Sequence, residues 1–453
     1  MKTIKRTFKE IMRYPSAVTG MIMILILIII SAYAMISIPY NQAIGLWRGG
    51  EEVWYRNPKN VPPAWLNWFS KEKKAVSFVI NNEQEGFQRD VVENSDGSRL
   101  ITLTYTFDYQ YDGFPQEMMF YFSNTFASKQ PFATITWVTP DGRNIRLGDY
   151  RLDASYVYRF SQDANLQVRL MGHKPQEALF YDTQGDTSTP LNGTYQIIIS
   201  AVAWEPEDDV NAEFVLHGEL YGAAGTDIYR RDLTVALLWG VPVALAFGLL
   251  AALGTSLLTM LFAAIGAWYD GWVDGLIQRI TEVNMVLPFL SILVMIGTFY
   301  SRSIWTILGA TVMLSIFTGQ IKTLRAAFIQ VKESTYIEAA RAYGASNWRL
   351  IILYLIPRLV PTLIPGLVSS VPTFVFLEAS LAVLGLGDPT LPTWGKLIND
   401  AFVNGALYKG QYYWILEPAV LLMFTGLAFA LLGFALDRIF NPRDRKSTRL
   451  NSS

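Results

Sequence analysis

The chain has 453 residues, of which 51% are hydrophobic, with a positive mean hydropathy of +0.24 and a formal net charge of −1. Its apolar residues are clumped rather than periodic, which excludes an ordinary soluble domain and predicts a polytopic membrane protein. The near-neutral total conceals a division: residues 41–231 hold 17 Lys/Arg against 25 Asp/Glu, about −8, and the rest of the chain 20 against 13, about +7, so the acidic and basic parts are expected in different compartments.

Cysteine is absent, which removes disulfides and thiolate metal sites, and His173 and His217 are the two imidazoles. Zinc chemistry is therefore not expected. No G-x-x-x-x-G-K-[ST] sequence occurs, so any dependence on ATP must come from another chain.

In chain order, Lys2, Lys5, Arg6, Lys9 and Arg13 against Glu10 precede the uncharged run 17–38. That run is long enough to cross about 30 Å of hydrocarbon as a helix. Ile38-Pro39-Tyr40 offers no small-residue cleavage site, so residues 1–39 are predicted as a cytoplasmic N-terminus and an uncleaved first span.

Residues 40–224 change character. Ile101, Leu103, Tyr105, Phe107 and Tyr109 alternate with Thr102, Thr104, Thr106 and Asp108, the period of a half-buried strand. Further strands are predicted over 133–139 and 144–147, flanking the turn Pro140-Asp141-Gly142, and over 195–203 and 212–220. Together they suggest an all-β, sandwich-like domain, extracytoplasmic by its position after the first span. Trp47, Trp54, Trp65 and Trp68, near prolines, fit either an interfacial connector or a partner-facing surface. Asn192-Gly193-Thr194 matches the glycosylation pattern.

Apolar segments return over 233–268 and 280–299, then from 302 to 319, 359–386 and 415–436, with a short loop at 269–279 and an external, partly re-entrant segment at 388–414. Glu282 and Asn284 lie near a cytoplasmic entrance. Glu378 sits in an apolar segment interrupted by Pro361, Pro365 and Pro372; it suits a polar translocation route or a structural hydrogen bond anchoring the turn that follows. Lys322, Arg325, Lys332, Arg341, Arg349 and Arg358 outweigh Glu333 and Glu338, which places the segment between the fourth and fifth spans in the cytoplasm. Arg438, Arg443, Arg445 and Lys446 close the same face. Residues 444–453 are expected to be a disordered or non-native tail.

That cytoplasmic segment, 335–357, reads as a polar helix-turn-helix. Thr335 with Glu338 three residues on forms a capping-box pattern; Ala339, Ala340 and Ala342 favour helix; Gly344 suits the left-handed residue that ends it. A second helix over 347–356 is predicted to stop before Pro357.

Glu338-Ala339-Ala340-Arg341, then Gly344-Ala345, then Leu355-Ile356-Pro357, resembles the EAA loop of permease subunits in binding-protein-dependent ABC importers. Gly225-Thr226-Asp227 with Arg231-Asp232, Gly271-Trp272-Val273-Asp274, Glu378-Ala379-Ser380-Leu381 running into Leu384-Gly385-Leu386-Gly387, and Pro392-Thr393-Trp394-Gly395 narrow the resemblance to the dipeptide/oligopeptide type, second (C-type) permease. Arg230 stands where that pattern has a tight-turn glycine. The resemblance implies six transmembrane helices, with residues 225–443 as permease core, and an EAA loop that docks on an ATPase. It implies as partners a homologous permease forming a heterodimer, two ATPase subunits carrying ATP-Mg, an extracytoplasmic substrate-binding protein and the lipid bilayer. Neither a nucleic acid nor a cofactor bound by this chain is implied. Peptide is the expected cargo, with nickel or another metal chelate as the alternative within the family; a membrane-anchored receptor is the rival reading outside it. The inserted β domain departs from the family pattern.

Overall fold

The structure is a computed structural model describing residues 12–95, 97–182 and 188–440. The basic residues at 2–10 and the tail from 441 onward, including Arg443, Arg445 and Lys446, lie outside the described residues. The chain forms two compact units: Gly49–Thr234, and a helical unit of Met1–Arg48 with Val235–Ser453.

Among the described residues the first unit holds nine strands: β1 Phe78–Ile80, β2 Phe87–Glu93, β3 Arg99–Tyr109, β4 Glu117–Thr125, β5 Phe132–Val138, β6 Asn144–Arg151, β7 Ser155–Arg159, β8 Gly193–Ala203 and β9 Asp209–His217. They make a four-stranded sheet, β1-β9-β4-β7, and a five-stranded sheet, β2-β3-β8-β5-β6. All pairings between these strands are antiparallel. The alternation that predicts β3 is the one the structure buries: Ile101, Leu103, Tyr105, Phe107 and Tyr109 face the core. Phe107 of one sheet stacks on Phe214 of the other at 5.5 Å, and Trp137 packs against Phe107 and Tyr195. This aromatic interior is the shared core expected of two packed sheets. Gly142 takes φ +85° in the turn between β5 and β6, as its sequence suggests.

The helical unit starts with α1 Pro15–Ser37 and α2 Tyr40–Arg48 and resumes with α3 Leu233–Tyr269. There follow α4 Gly271–Val286, α5 Phe289–Phe299, α6 Ile304–Ile316, α7 Gly319–Lys332, α8 Thr335–Ala342, α9 Asn347–Leu350, α10 Ile356–Leu381, α11 Trp394–Val403 and α12 Tyr413–Phe440. Among the described residues four helices are long and apolar enough to cross a membrane, and six if each bent pair counts as one span. α1 approaches α12 at Gly20, where a Cβ would come within 2.8 Å of the Ala428 carbonyl oxygen. In lipid, such small residues let backbones touch where no hydrophobic effect drives helices together.

Three local expectations are corrected. Residues 269–279 are not a loop: α4 starts at Gly271, and the helix expected over 280–299 is broken at Leu287-Pro288, with α4 and α5 bent by 81°. Pro288 supplies the break, because it lacks a donor and disfavours helix in the residue before it. Pro357 does not end the second helix of the polar segment. The π turn Ile351–Leu355, with Ile356 N–H donating to the Ile351 carbonyl, carries the chain from α9 into α10 through Pro357. The widened turn displaces the carbonyl that the proline ring would otherwise strike. Pro361, Pro365 and Pro372 likewise lie inside a continuous α10.

Candidate functional site

The polar segment between α7 and α10 is built from a short helix held on one side and exposed on the other. Ser334, not Thr335, is the N-cap of α8, and the capping box is absent. Thr335 is the first helical residue, so the third is Ile337, which has no carboxylate to reach back; the Ser334 hydroxyl donates instead to the Val331 carbonyl at 2.5 Å. The helix ends as the glycine suggests. Gly344 takes φ +80°, its N–H donates to Arg341 O at 2.9 Å, and Ala345 N–H to Ala340 O at 3.2 Å, the two bonds of a Schellman motif.

Ile337 is the anchor. It is buried with Phe328, Leu350, Ile351 and Leu355 in a cluster that includes Ala263, Ala267 and Trp268 of α3, while Ala340 and Ala345 pack at its edge. The Arg341 guanidinium lies over the Trp268 ring at 5.0 Å, and Lys332 Nζ is 5.9 Å from the same ring and donates to Ala267 O at 3.0 Å. Two cations on one indole tie both ends of the α7–α8 connection to the end of α3. Glu338, Ala339 and Gly344 are exposed beside Tyr336, Tyr343 and Trp348, with Tyr343 93% exposed. Pro357 is exposed on the following helix.

One turn into α4, the Asp274 carboxylate takes both arms of the Arg325 guanidinium of α7, with side chains 11% and 30% exposed. Such a fork fixes distance and angle together. Trp272, beside it, is 79% exposed. Further along α4, Glu282 pairs with Arg279 at 3.3 Å and lies 3.9 Å from Lys322, and the Asn284 amide donates to Leu314 O and Phe317 O, both at 2.8 Å, where α6 gives way to α7. Asn284 satisfies carbonyls left open by the 52° bend.

A third group surrounds α11. Glu378 is buried in α10, and its carboxyl bonds the hydroxyl of Thr393, the N-cap of α11, whose Oγ1 also accepts from Lys396 N at 3.2 Å. Trp394 Nε1 donates to Leu237 O at 3.0 Å, and at Gly395 a Cβ would stand 2.7 Å from Ala379 Cα. The Glu-Ala and Thr-Trp-Gly motifs are thus two sides of one contact. Asp388 accepts from Ile304 N at 3.0 Å and Thr390 N at 2.9 Å, closing the turn after α10 onto the start of α6.

Asp227, Arg231 and Asp232 lie in the β unit. Asp227 accepts from Arg231 Nε at 2.6 Å and from the N–H groups of Tyr229 and Arg231, each at 2.9 Å; Asp232 accepts from Thr234 N at 2.8 Å. Arg230 takes the left-handed conformation that favours glycine, with φ +66°. It is held there by its Nη1 bond to Asn57 O at 2.6 Å and by Asn57 Nδ2 donating back to its carbonyl at 3.0 Å. His217 is buried beside it. Its Nε2 contacts Arg56 O at 3.2 Å and its Nδ1 faces Arg230 Nη1 at 3.5 Å; burial, followed by the Arg230 charge, pushes its pKa down to about 4. Among the described residues no group of three His, Cys, Asp or Glu could hold a metal ion.

Residues 256–446 match the family described as "Binding-protein-dependent transport system inner membrane component". That stretch carries the permease domain of binding-protein-dependent importers. The permease is 28% identical over 253 residues to the dipeptide transport system permease protein DppC of Lactococcus lactis subsp. cremoris, covering 56% of this chain and 71% of the relative. It is 27% identical over 228 residues to the glutathione transport system permease protein GsiD of Pectobacterium atrosepticum, covering 48% and 72%. Over 221 residues it is 30% identical to the peptidoglycan transport system permease protein YejE of Agrobacterium fabrum, covering 48% and 56%. The matched family region of the permease begins within α3, so the nine strands lie outside it.

Proposed function

We propose that this chain is the six-span permease subunit of an ATP-driven importer of peptides, with its β unit outside the cell and both termini in the cytoplasm. It works beside a homologous permease, two ATPase subunits that bind ATP-Mg and an extracytoplasmic binding protein, and it catalyses no reaction itself. The observation that carries the reading is α8: Ile337 and Arg341 pin it to the end of α3, while Glu338, Ala339, Gly344 and Tyr343 are exposed for docking. A rigid helix so anchored transmits force rather than absorbing it, and closure of the ATPases rocks the spans between inward and outward access.

Peptide is favoured as cargo because the relatives carry dipeptide, glutathione and peptidoglycan transport in their names. The β unit is read as a docking module for the binding protein or the partner permease, its excess of acid steering a basic surface. The test is uptake of labelled dipeptide into vesicles holding the assembled importer, combined with cysteine labelling at Asn144→Cys and Asn347→Cys. Uptake that requires ATP, with the two cysteines labelled from opposite sides, is expected. Labelling of both from one side would overturn the topology.

A further inference from the structure

The β unit holds out an aromatic tip that its own core does not use. After Pro62 and Pro63 the chain makes the 3₁₀ turn Ala64–Trp68, followed by Phe69; Trp68 is 83% exposed and Phe69 80%. The turn is tied down on every side. Ala64 N–H donates to Gly222 O at 2.9 Å, Trp65 Nε1 to Ala223 O at 3.0 Å and Phe69 N–H to Leu66 O at 3.1 Å. The Asn67 amide clamps Lys74 from both directions, Nδ2 donating to its carbonyl at 2.8 Å and Oδ1 accepting from its N–H at 3.0 Å. Trp68 and Phe69 are therefore presented by a fixed backbone, not stranded by a loose loop.

Two large rings in water are a standing cost that a partner removes. Exposed Lys71 and Lys73 follow the tip directly with exposed Glu72 between them, a net positive stretch, whereas Lys74 is committed to Glu219 at 3.1 Å. An amphipathic indole beside a purely apolar ring, with lysines following, is a composition that gathers at the headgroup level of a bilayer. The tip is also bonded to the right stretch of chain: Gly222 and Ala223 lead into α3, whose first residue, Leu233, donates to Gly225 O at 3.1 Å. A protein partner would account for the rings but not for their attachment to the segment that enters the membrane.

We propose that Trp68 and Phe69 insert into the headgroup boundary of the bilayer that α3 crosses, anchoring the β unit at the surface. The unit as a whole is acidic, so anionic headgroups repel it; the tip is the local exception, chiefly through ring burial, with Lys71 and Lys73 outweighing Glu72.

Because the chain has no cysteine, Phe69→Cys in the full permease takes a single environment-sensitive fluorophore. In nanodiscs of phosphatidylethanolamine and phosphatidylglycerol doped with nitroxide-bearing lipid, the fluorophore at 69 should be blue-shifted and quenched severalfold more strongly than one at Asn144→Cys. Ser70→Cys, which leaves both rings in place, should give the same contrast. Equal quenching at 69, 70 and 144 would overturn the proposal. So would shielding at 69 that appears only when the binding protein is added, because the surface would then belong to a protein contact.

Discussion

The indole of Trp394 occupies the space that a side chain on Gly240 would need: a Cβ there would lie 2.2 Å from Cδ1 and 2.3 Å from Nε1, and Nε1 is held to Leu237 O at 3.0 Å. The ring locks α11 onto the first two turns of α3. Gly240→Leu is expected to force the ring out and destabilise the helical unit by about 1–3 kcal/mol, the usual range for overpacking. Trp394→Phe removes the hydrogen bond but leaves room, so its cost should be about 1 kcal/mol. Thermal unfolding of the purified permease in detergent measures both, and equal stability of Gly240→Leu and the parent would show that the contact is not close.

Asp274 and Arg325 give a second prediction. Replacing Arg325 by Ala leaves a nearly buried carboxylate without its fork, at a cost of about 2 kcal/mol given that Arg325 remains partly exposed. The double exchange Asp274→Arg with Arg325→Asp restores charge pairing without the original fork geometry. It should recover part of the stability and part of the uptake. If Arg325→Ala unfolds at the parent temperature, α4 and α7 are not held by this pair.

His217 makes the β unit sensitive to mild acid. Its folded pKa, about 4, lies below the ordinary value of 6.5, so between those limits the unfolded chain binds a proton that the folded unit does not. Stability therefore falls as pH drops from about 6.5 to about 4, by up to about 3 kcal/mol in all. His217→Asn should flatten that part of the profile, and Arg230→Gly should shift it to higher pH by removing the cation facing Nδ1. Chemical denaturation at pH 7 and pH 5 decides: identical pH dependence in the parent and His217→Asn would refute the assignment.

What was legible in the sequence was whatever depends on near neighbours. β3 and β8 show as alternation because one face of each meets the core and the other does not. β4 was missed because Met118-Met119-Phe120 is buried continuously, which hides a period of two. β2 was missed because it is an edge strand exposed along nearly its whole length. The left-handed turn at Gly344 was readable, yet the capping box was not realised, since the frame of α8 is set by Ser334 one residue earlier. Pro357 misled because a π turn can carry a helix past a proline, and nothing local to the sequence announces one. The exposed side of α8 was visible as a motif. The contact of Arg341 with Trp268 was not, for it joins residues brought together only by the fold.

The central claim is that α8 is where the ATPase engages, and cross-linking from Tyr343, the 93% exposed residue that caps its C-terminus, tests it most directly. With Tyr343→Cys as the permease's single cysteine, and one cysteine kept on the docking face of otherwise cysteine-free ATPase partners, a short bifunctional thiol reagent should join permease to ATPase. Gly344→Val, which forces a β-branched residue into a φ of +80°, should abolish both that product and ATP-dependent uptake while the permease stays in the membrane. An ATPase that co-purifies and drives uptake while Tyr343→Cys never cross-links to it would contradict the account.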